Sequence, residues 1–544
     1  MSQATLSGAP PVVAGEGQEN RICHMPDAGW ERWWVWASER VNPIVVKEIR
    51  QSLKSKQFTL SFGLTLIVAI AWTLLAISLM VPKIFYLPGG ATLLTGFFCI
   101  LCVPLLVIIP FSAFRSLTAE TEDSTFELLS ISALSSHQII YGKMASACLQ
   151  IVLYLSALAP CIVLTYLLRG ISLFSILFLL GMTLLISVSE TAVALLLAAV
   201  SRTRMVQTGA SVLVLAGLVM AFFGWTALIV NEGLEDMGNP PREAMLGIFA
   251  FLTIVAVAIS VVLRAAAAAI DFPSENHSTS LRWRILGLVS LFVFWMLMLL
   301  AVVEDRSVAT AGILVSLFVF FMFIGGLVCG ERGIISLRGQ RTLPKTFLGR
   351  IMLTWFYPGA GLGYIYIVCI FGAVALMLSC FEVFYVWRLR PLSGNASITA
   401  TGYLLFCYLV IYLGITRLAM LGLGKSLPAR MLSSVAMLVV ILLFSHLVPW
   451  MLVFILNDYR DFPYAAHQAF NIYLSVEEAN DRLSIDIGLS ILIVTLCASG
   501  IFGLNLLLCT RDIMLVRVAL PPRLREEDGL DKPAPTAPID PFAD

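Results

Sequence analysis

Long apolar runs, each about 20 residues or more and nearly free of Lys, Arg, Asp and Glu, dominate the pattern of this chain. A bilayer-spanning helix needs about 20 mostly apolar residues, whereas barrel strands alternate apolar and polar positions over about 10 residues. The runs are continuous and therefore predict membrane-spanning helices. The first six are Phe58–Met80, Ala91–Ala113, Met144–Leu168, Ile171–Val200, Val206–Val230 and Met245–Leu263. The second six are Ile285–Val303, Val308–Gly330, Gly361–Trp387, Ile398–Thr416, Met431–Leu456 and Ile487–Cys509.

Composition supports the same fold class. The chain is 59% hydrophobic, and its mean hydropathy of +0.91 lies far above that of a soluble globular protein. We therefore predict an all-α integral membrane protein, a polytopic bundle of about 12 transmembrane helices.

The positions of the basic residues predict the orientation. With the N-terminus in the cytoplasm, 27 of the 35 Lys and Arg residues fall on the cytoplasmic side of the predicted spans. Cytoplasmic loops carry such an excess, so we expect both termini to be cytoplasmic in a multi-pass protein of the cytoplasmic (inner) membrane. Because the basic residues serve orientation and the net charge is only +1, we expect no nucleic-acid partner.

The apolar runs divide the chain into five predicted parts. They are a disordered cytoplasmic tail with several tryptophans (1–37), an amphipathic interface helix (38–57), a six-span unit (58–263) with a cytoplasmic loop (114–143), a second six-span bundle (264–509) and a Pro-rich acidic cytoplasmic tail (510–544).

The interface helix is predicted from "NPIVVKEIRQSLKSKQF", Asn42 to Phe58. Asn42 is a typical N-cap, and Pro43 suits the first turn. Helical spacing puts apolar and basic residues on separate stripes, as in helices that lie on a membrane surface. The alternative is a cytosolic extension of the first span whose charges only enforce topology. The apolar stripe is Val45, Ile49 and Leu53, and the basic stripe is Lys47, Arg50 and Lys54.

The cytoplasmic loop contains the acidic stretch "AETEDSTFELL". Ser124 with Glu127, and Ser135 with Gln138, have the spacing of capping boxes. The pattern predicts a short helix over about 125–134, followed by the helix of the third span. The acids Glu120, Glu122 and Asp123 precede the short helix, where its dipole stabilises negative charge.

Two interpretations of this stretch remain open. The acids cap a solvated helix, or the segment docks on a partner. Phe126, Leu128 and Leu129 favour docking, because a helix this short cannot bury them against itself.

Glu190 is a carboxylate within the fourth predicted span. Such a group is expected to face the bundle interior or a water-filled path. It is either a substrate-pathway or gating residue, or a neutral acid that holds helices together through Ser187, Ser189 or Thr191. We find no constellation of catalytic or metal-binding residues in the sequence.

The segments "NPIVVKEIRQSLKS" and "TAETEDSTFELLSISALSSHQIIYGK" together resemble permease subunits of type 2 ABC transporters, over about residues 42–230. The first is similar to the interface helix of that family, and the second to its cytoplasmic coupling loop. The resemblance implies that the coupling region docks on a separate subunit. The residues it assigns to this partner-binding region are Glu120, Glu122, Asp123, Thr125, Phe126, Glu127, Leu128 and Leu129.

The function implied by the resemblance is that of a permease without its own nucleotide-binding domain, and so not an enzyme. A P-loop ATP-binding subunit would supply ATP hydrolysis and its Mg²⁺, and this chain would hold no cofactor. The lipid bilayer, an unidentified substrate and a second permease chain, as a homodimer or heterodimer, are further expected partners. Short outer loops favour export. The alternatives are a 12-span secondary transporter and a membrane scaffold that transports nothing.

Overall fold

The computed structural model describes residues 43–81, 89–122, 135–168, 171–201, 203–231, 242–271, 276–301, 306–331, 346–389, 396–423, 430–456, 464, 466–481 and 485–517. Regular structure within these ranges is entirely helical. The first helices are α1 (Pro43–Leu53), α2 (Lys56–Met80), α3 (Gly90–Cys102), α4 (Ile109–Glu122), α5 (Ser136–Leu167), α6 (Leu173–Val200), α7 (Arg204–Asn231) and α8 (Arg242–Ile270). They are followed by α9 (Ser278–Leu300), α10 (Arg306–Cys329), α11 (Phe347–Leu353), α12 (Ala360–Leu389), α13 (Ala396–Leu423), α14 (Arg430–Leu456), α15 (Ile472–Asp481) and α16 (Ile485–Arg517).

Within the described ranges, twelve helices are long and apolar enough to cross a membrane. A π-helical turn, Val103–Ile108, joins α3 to α4, and these three pieces form one span. The predicted fold class is confirmed: the protein is an all-α, multi-pass membrane protein.

Several helices extend beyond the apolar windows predicted from the sequence. Helix α4 continues to Glu122, and α13 continues through the buried Arg417 to Leu423. Helix α5 begins at Ser136, where the predicted second capping box is confirmed: Ser135 accepts from the Gln138 N–H, and the Gln138 side chain accepts from the Ser135 N–H. Apolar windows thus locate the spans, whereas polar contacts and caps determine where the helices end.

The interface helix is shorter than predicted. The backbone leaves the helical conformation after Leu53, and a new helix begins at Lys56 with Ser55 as its N-cap. The Ser55 side chain accepts from the Phe58 N–H at 3.1 Å. The single helix expected over 42–58 is therefore wrong, because a good N-cap residue interrupts it.

Buried apolar residues form three clusters. Two of them, centred on Phe97 and Leu195, lie within α2–α8. The third, centred on Tyr364 and Leu409, lies within α9–α16. Helix α8 packs against α9 between the two groups, where Arg284 Nη1 donates to the Ser260 carbonyl at 2.8 Å.

The long connection between α14 and α16 is partly folded. Its helix α15 packs on α13 and α16. On α13, the hydroxyls of Tyr408 and Tyr412 donate to the carbonyls of Ala469 and Phe470, each at 2.5 Å. The loop is thereby attached to the second bundle.

Candidate functional site

Lys143 lies in the first turns of α5 and joins three helices. Its Nζ lies 2.9 Å from Glu120 Oε1 in the last turn of α4 and 3.4 Å from Glu48 Oε2 on α1. It also donates to Ser116 Oγ at 3.0 Å. The Lys143 side chain is only 2% exposed. We call these four residues the Lys143 junction.

Helix α1 contacts α5 through a polar stripe that sequence reasoning missed. Glu48 and Ser52 are one helical turn apart and face the same neighbour. Glu48 pairs with Lys143, and Ser146 donates to Ser52 at 3.0 Å. The sequence signal for this contact was Glu48, an acid that lies between the predicted apolar and basic stripes.

The basic residues predicted for the interface helix lie on its open side. Lys47, Arg50 and Lys54 are all exposed. They are therefore placed to meet solvent or lipid headgroups rather than the bundle.

A polar cavity of about 750 Å³ lies beside the Lys143 junction. Residues from α1, α2, α4 and α5 line it, together with Ile108 of the π turn. Tyr154 and Ser61 lie on its wall, with their hydroxyl oxygens 2.7 Å apart. The junction thus borders a cavity lined by many polar side chains.

The structure corrects the position expected for the first two acids of the coupling region. Glu120 and Glu122 lie in the last turn of α4 and not simply ahead of another helix. At a helix C-terminus the dipole disfavours negative charge. For Glu120, the contact with Lys143 supplies the compensation.

The other predicted partner-binding residues lie outside the described residues. They are Asp123, Thr125, Phe126, Glu127, Leu128 and Leu129. The short helix expected over about 125–134 lies outside them as well.

The start of α5, at the far end of the α4–α5 connection, is attached to the linker between α8 and α9. Asp271 accepts from the Ser136 side chain at the start of α5, and Asp271 Oδ2 lies 3.5 Å from His277 Nδ1. Burial alone would raise the pKa of Asp271, but hydrogen bonds to His277 and Ser136 and the nearby positive charges hold that pKa below its usual value. Both ends of the loop are therefore fixed by polar contacts.

The π turn between α3 and α4 has a local cause. Ile109 N–H bonds to the Pro104 carbonyl, five residues back. The Leu105 carbonyl would take the next such bond from residue 110, but Pro110 has no N–H. Ser187 of α6 donates to that carbonyl at 2.6 Å instead. The turn thereby attaches the second span to the fourth.

Glu190 lies on α6, one turn beyond Ser187, and both carboxyl oxygens are buried. Neither oxygen has a hydrogen-bond partner among the described residues. The three partners considered from the sequence bond elsewhere: Ser187 to Leu105, Ser189 to Leu185 and Thr191 to Ser187. Only the two carboxyl oxygens of Glu190 are thus shown to be shielded, and none of these three residues forms the helix-linking hydrogen bond considered from the sequence.

Sequence reasoning also missed a buried ion pair in the second bundle. Arg282 of α9 is 2% exposed and pairs with Glu331, which follows α10. The same guanidinium donates to the carbonyls of Trp355, at 2.7 Å, and Tyr357. It thereby holds the irregular segment before α12. Arg282 lies next to a predicted span, so it was counted only as a topological charge.

No group of three or more His, Cys, Asp or Glu side chains within the described ranges is arranged to hold a metal ion. Comparisons with protein-family models, with curated proteins and with solved structures found no match to this chain.

Proposed function

We propose that this chain is the permease subunit of an ABC transporter, an exporter driven by a separate ATP-binding subunit. The observation that carries the proposal is the Lys143 junction. It links the helix before the coupling loop, the helix after it and the interface helix through one buried cation. Twelve apolar helices and the resemblance of the two cytoplasmic segments support the same function.

The geometry suggests how motion would reach the membrane. A partner that moves the coupling loop displaces Glu120 at one end and Ser136 at the other. Because Lys143 lies on the same helix as Ser136, α4 and α5 respond together and take α1 with them. The polar cavity between these helices would change shape in the same step.

Docking and transmission can be tested separately. Phe126→Ala, in the loop itself, is expected to weaken co-purification of a P-loop ATPase. Lys143→Met is expected to retain that ATPase but to reduce ATP-dependent transport by proteoliposomes. Tyr473→Ala, at an exposed position on α15, is a matched control. Full ATPase retention and full transport in both test variants would overturn the proposal, and a bound partner with no transport by the wild type would favour a scaffold.

One observation favours a second candidate function, a secondary transporter. Glu190 is a buried acid in a span, as is common in proton relays. The test uses vesicles that contain only this chain and no ATP. Transport driven by an ion gradient in these vesicles would support a secondary transporter.

A further inference from the structure

Glu190 is isolated from polar partners in the middle of α6. It lies ten residues before the end of that helix at Val200, roughly 15 Å along the axis. Both carboxyl oxygens are shielded from solvent, and neither accepts or donates a hydrogen bond within the described part of the chain. An ionised carboxylate in such a place has no compensation for the hydration that it gave up.

The charged and titratable groups on the surrounding helices do not supply that compensation. Helix α6 packs against α4 and the π turn, α5, α7 and α8. The thiol of Cys102, at the end of α3, lies within electrostatic range of Glu190. The other thiols on these helices are Cys99, Cys148 and Cys161.

The cations and other ionisable groups of these helices are engaged elsewhere, are exposed or lie near the helix ends. Lys143 belongs to the junction with Glu120, Tyr154 bonds to Ser61, and Arg264 Nε donates to Ser280. Arg115 lies midway along α4, where it is exposed and lines the cavity beside the Lys143 junction. The remaining groups lie in the first or last two turns of α5, α7 and α8; they are His137, Tyr141, Tyr166, Arg204 and Arg242.

One of the neighbours packed against α6 contains an irregular segment, the π turn. The π turn is joined to α6 through the hydrogen bond from Ser187 to Leu105, one helical turn from Glu190. A π turn within an α-helix is a common feature of functional sites. Loss of this hydrogen bond would weaken the contact between the π turn and α6 close to Glu190.

We propose that Glu190 is a proton-binding site, held as the neutral acid in this conformation and able to ionise when α6 separates from the π turn. In the ionisation step the carboxyl O–H bond breaks, its electron pair stays on the carboxylate, and the proton passes to water. This proposal applies whether ATP hydrolysis or an ion gradient drives transport. Its test therefore does not depend on the ATPase partner.

Infrared spectroscopy tests the protonation state. The full chain is placed in vesicles of phosphatidylethanolamine and phosphatidylglycerol at neutral pH. We expect the carbonyl-stretch band of a protonated carboxyl in the wild type and its loss in Glu190→Gln. Glu477→Gln, at an exposed position on α15, is the matched control and should change only carboxylate bands.

The opposite result is equally clear. If wild type and Glu190→Gln differ only in carboxylate bands, Glu190 is ionised and the proposal is overturned. Should Glu190→Gln fail to fold, Glu190→Asp provides the same test, because it keeps the acid and shifts the frequency of the band.

Thiol labelling tests the link to helix separation. Cys102 is buried on the span that faces Glu190. Raising the pH into the alkaline range is expected to increase its maleimide labelling several-fold more in the wild type than in Glu190→Gln, as read by peptide mass mapping. An ionised Glu190 would by its charge disfavour the reactive thiolate of Cys102, so a larger increase in the wild type reports access to the thiol and not the direct effect of pH on it. A ratio of wild-type to Glu190→Gln labelling that stays constant with pH would show that ionisation of Glu190 does not open the contact.

Discussion

Lys143 Nζ lies 2.9 Å from Glu120 Oε1, and this contact joins the start of α5 to the end of α4. Lys143 is buried, whereas Glu120 keeps 18% of its side chain exposed. A movement of the partly exposed carboxylate therefore acts directly on a buried cation of α5. The last turn of α4 and the membrane-spanning part of α5 are mechanically connected at this point.

Replacing Lys143 by Met should destabilise the fold. The variant leaves Glu48 and Glu120 close together with no cation, and loss of one partner from a buried ion pair costs about 3 to 5 kcal/mol. Unfolding of the full chain in mixed micelles measures the change. Lys47→Met, on the exposed face of α1, should change stability little. Equal stability of the two variants would show that the junction is dispensable.

Replacing Ser187 by Ala should weaken the contact between α6 and the π turn. The Leu105 carbonyl then loses its donor, and an interhelical hydrogen bond in a membrane contributes about 0.6 kcal/mol on average. Ser189→Ala is the matched control, because Ser189 donates only within its own helix, to Leu185. We expect a lower unfolding midpoint for Ser187→Ala than for Ser189→Ala. The reverse order would contradict the role given to Ser187.

Replacing Gly330 by Ala should disturb the approach of α10 to α14. An added Cβ would lie 2.4 Å from the Arg430 carbonyl oxygen and 2.6 Å from Met431 Cα. Backbone atoms must move to relieve this overlap, and overpacking of this kind costs about 1 to 3 kcal/mol. Gly312→Ala, within α10 and in open space, should be neutral or slightly stabilising. Thermal unfolding of the two variants checks the difference.

Acid should weaken the contact between the α8–α9 linker and α5. The pKa of Asp271 is lower in the folded protein than usual. The stability it contributes is therefore present above its unfolded pKa and is lost as the pH falls through the folded value. We expect the unfolding temperature of Asp271→Asn to fall less on acidification than that of the wild type. Parallel pH profiles for the two proteins would rule out this contribution.

The sequence predicts the membrane part of this fold well. Continuous apolar runs predict helices because every backbone polar group must be satisfied within the bilayer. The Ser135 cap was also predictable, because its partner Gln138 is only three residues away in the chain. The Ser55 cap was equally local, although the amphipathic pattern across residues 42–58 concealed it.

The junctions between helices were less predictable. Lys143 and Glu48 are 95 residues apart, and Arg282 and Glu331 are 49 apart. A charge pattern along the chain does not reveal such pairs, because each depends on which helices become neighbours. Glu48, Ser116 and Arg282 therefore carry no signal of these contacts in their sequence neighbourhoods.

The sequence by itself determined that this protein spans the membrane with about 12 helices, because hydrophobic length is a local property. The tertiary structure alone decided which polar residues meet within that bundle. It brought Lys143 between two carboxylates, directed Ser187 to the carbonyl left free by Pro110, and left Glu190 without a partner among the described residues. The physical reason is that a buried polar group must find its partners among residues that are close in space. A segment becomes a helix, in contrast, because of residues that are close to it in the chain.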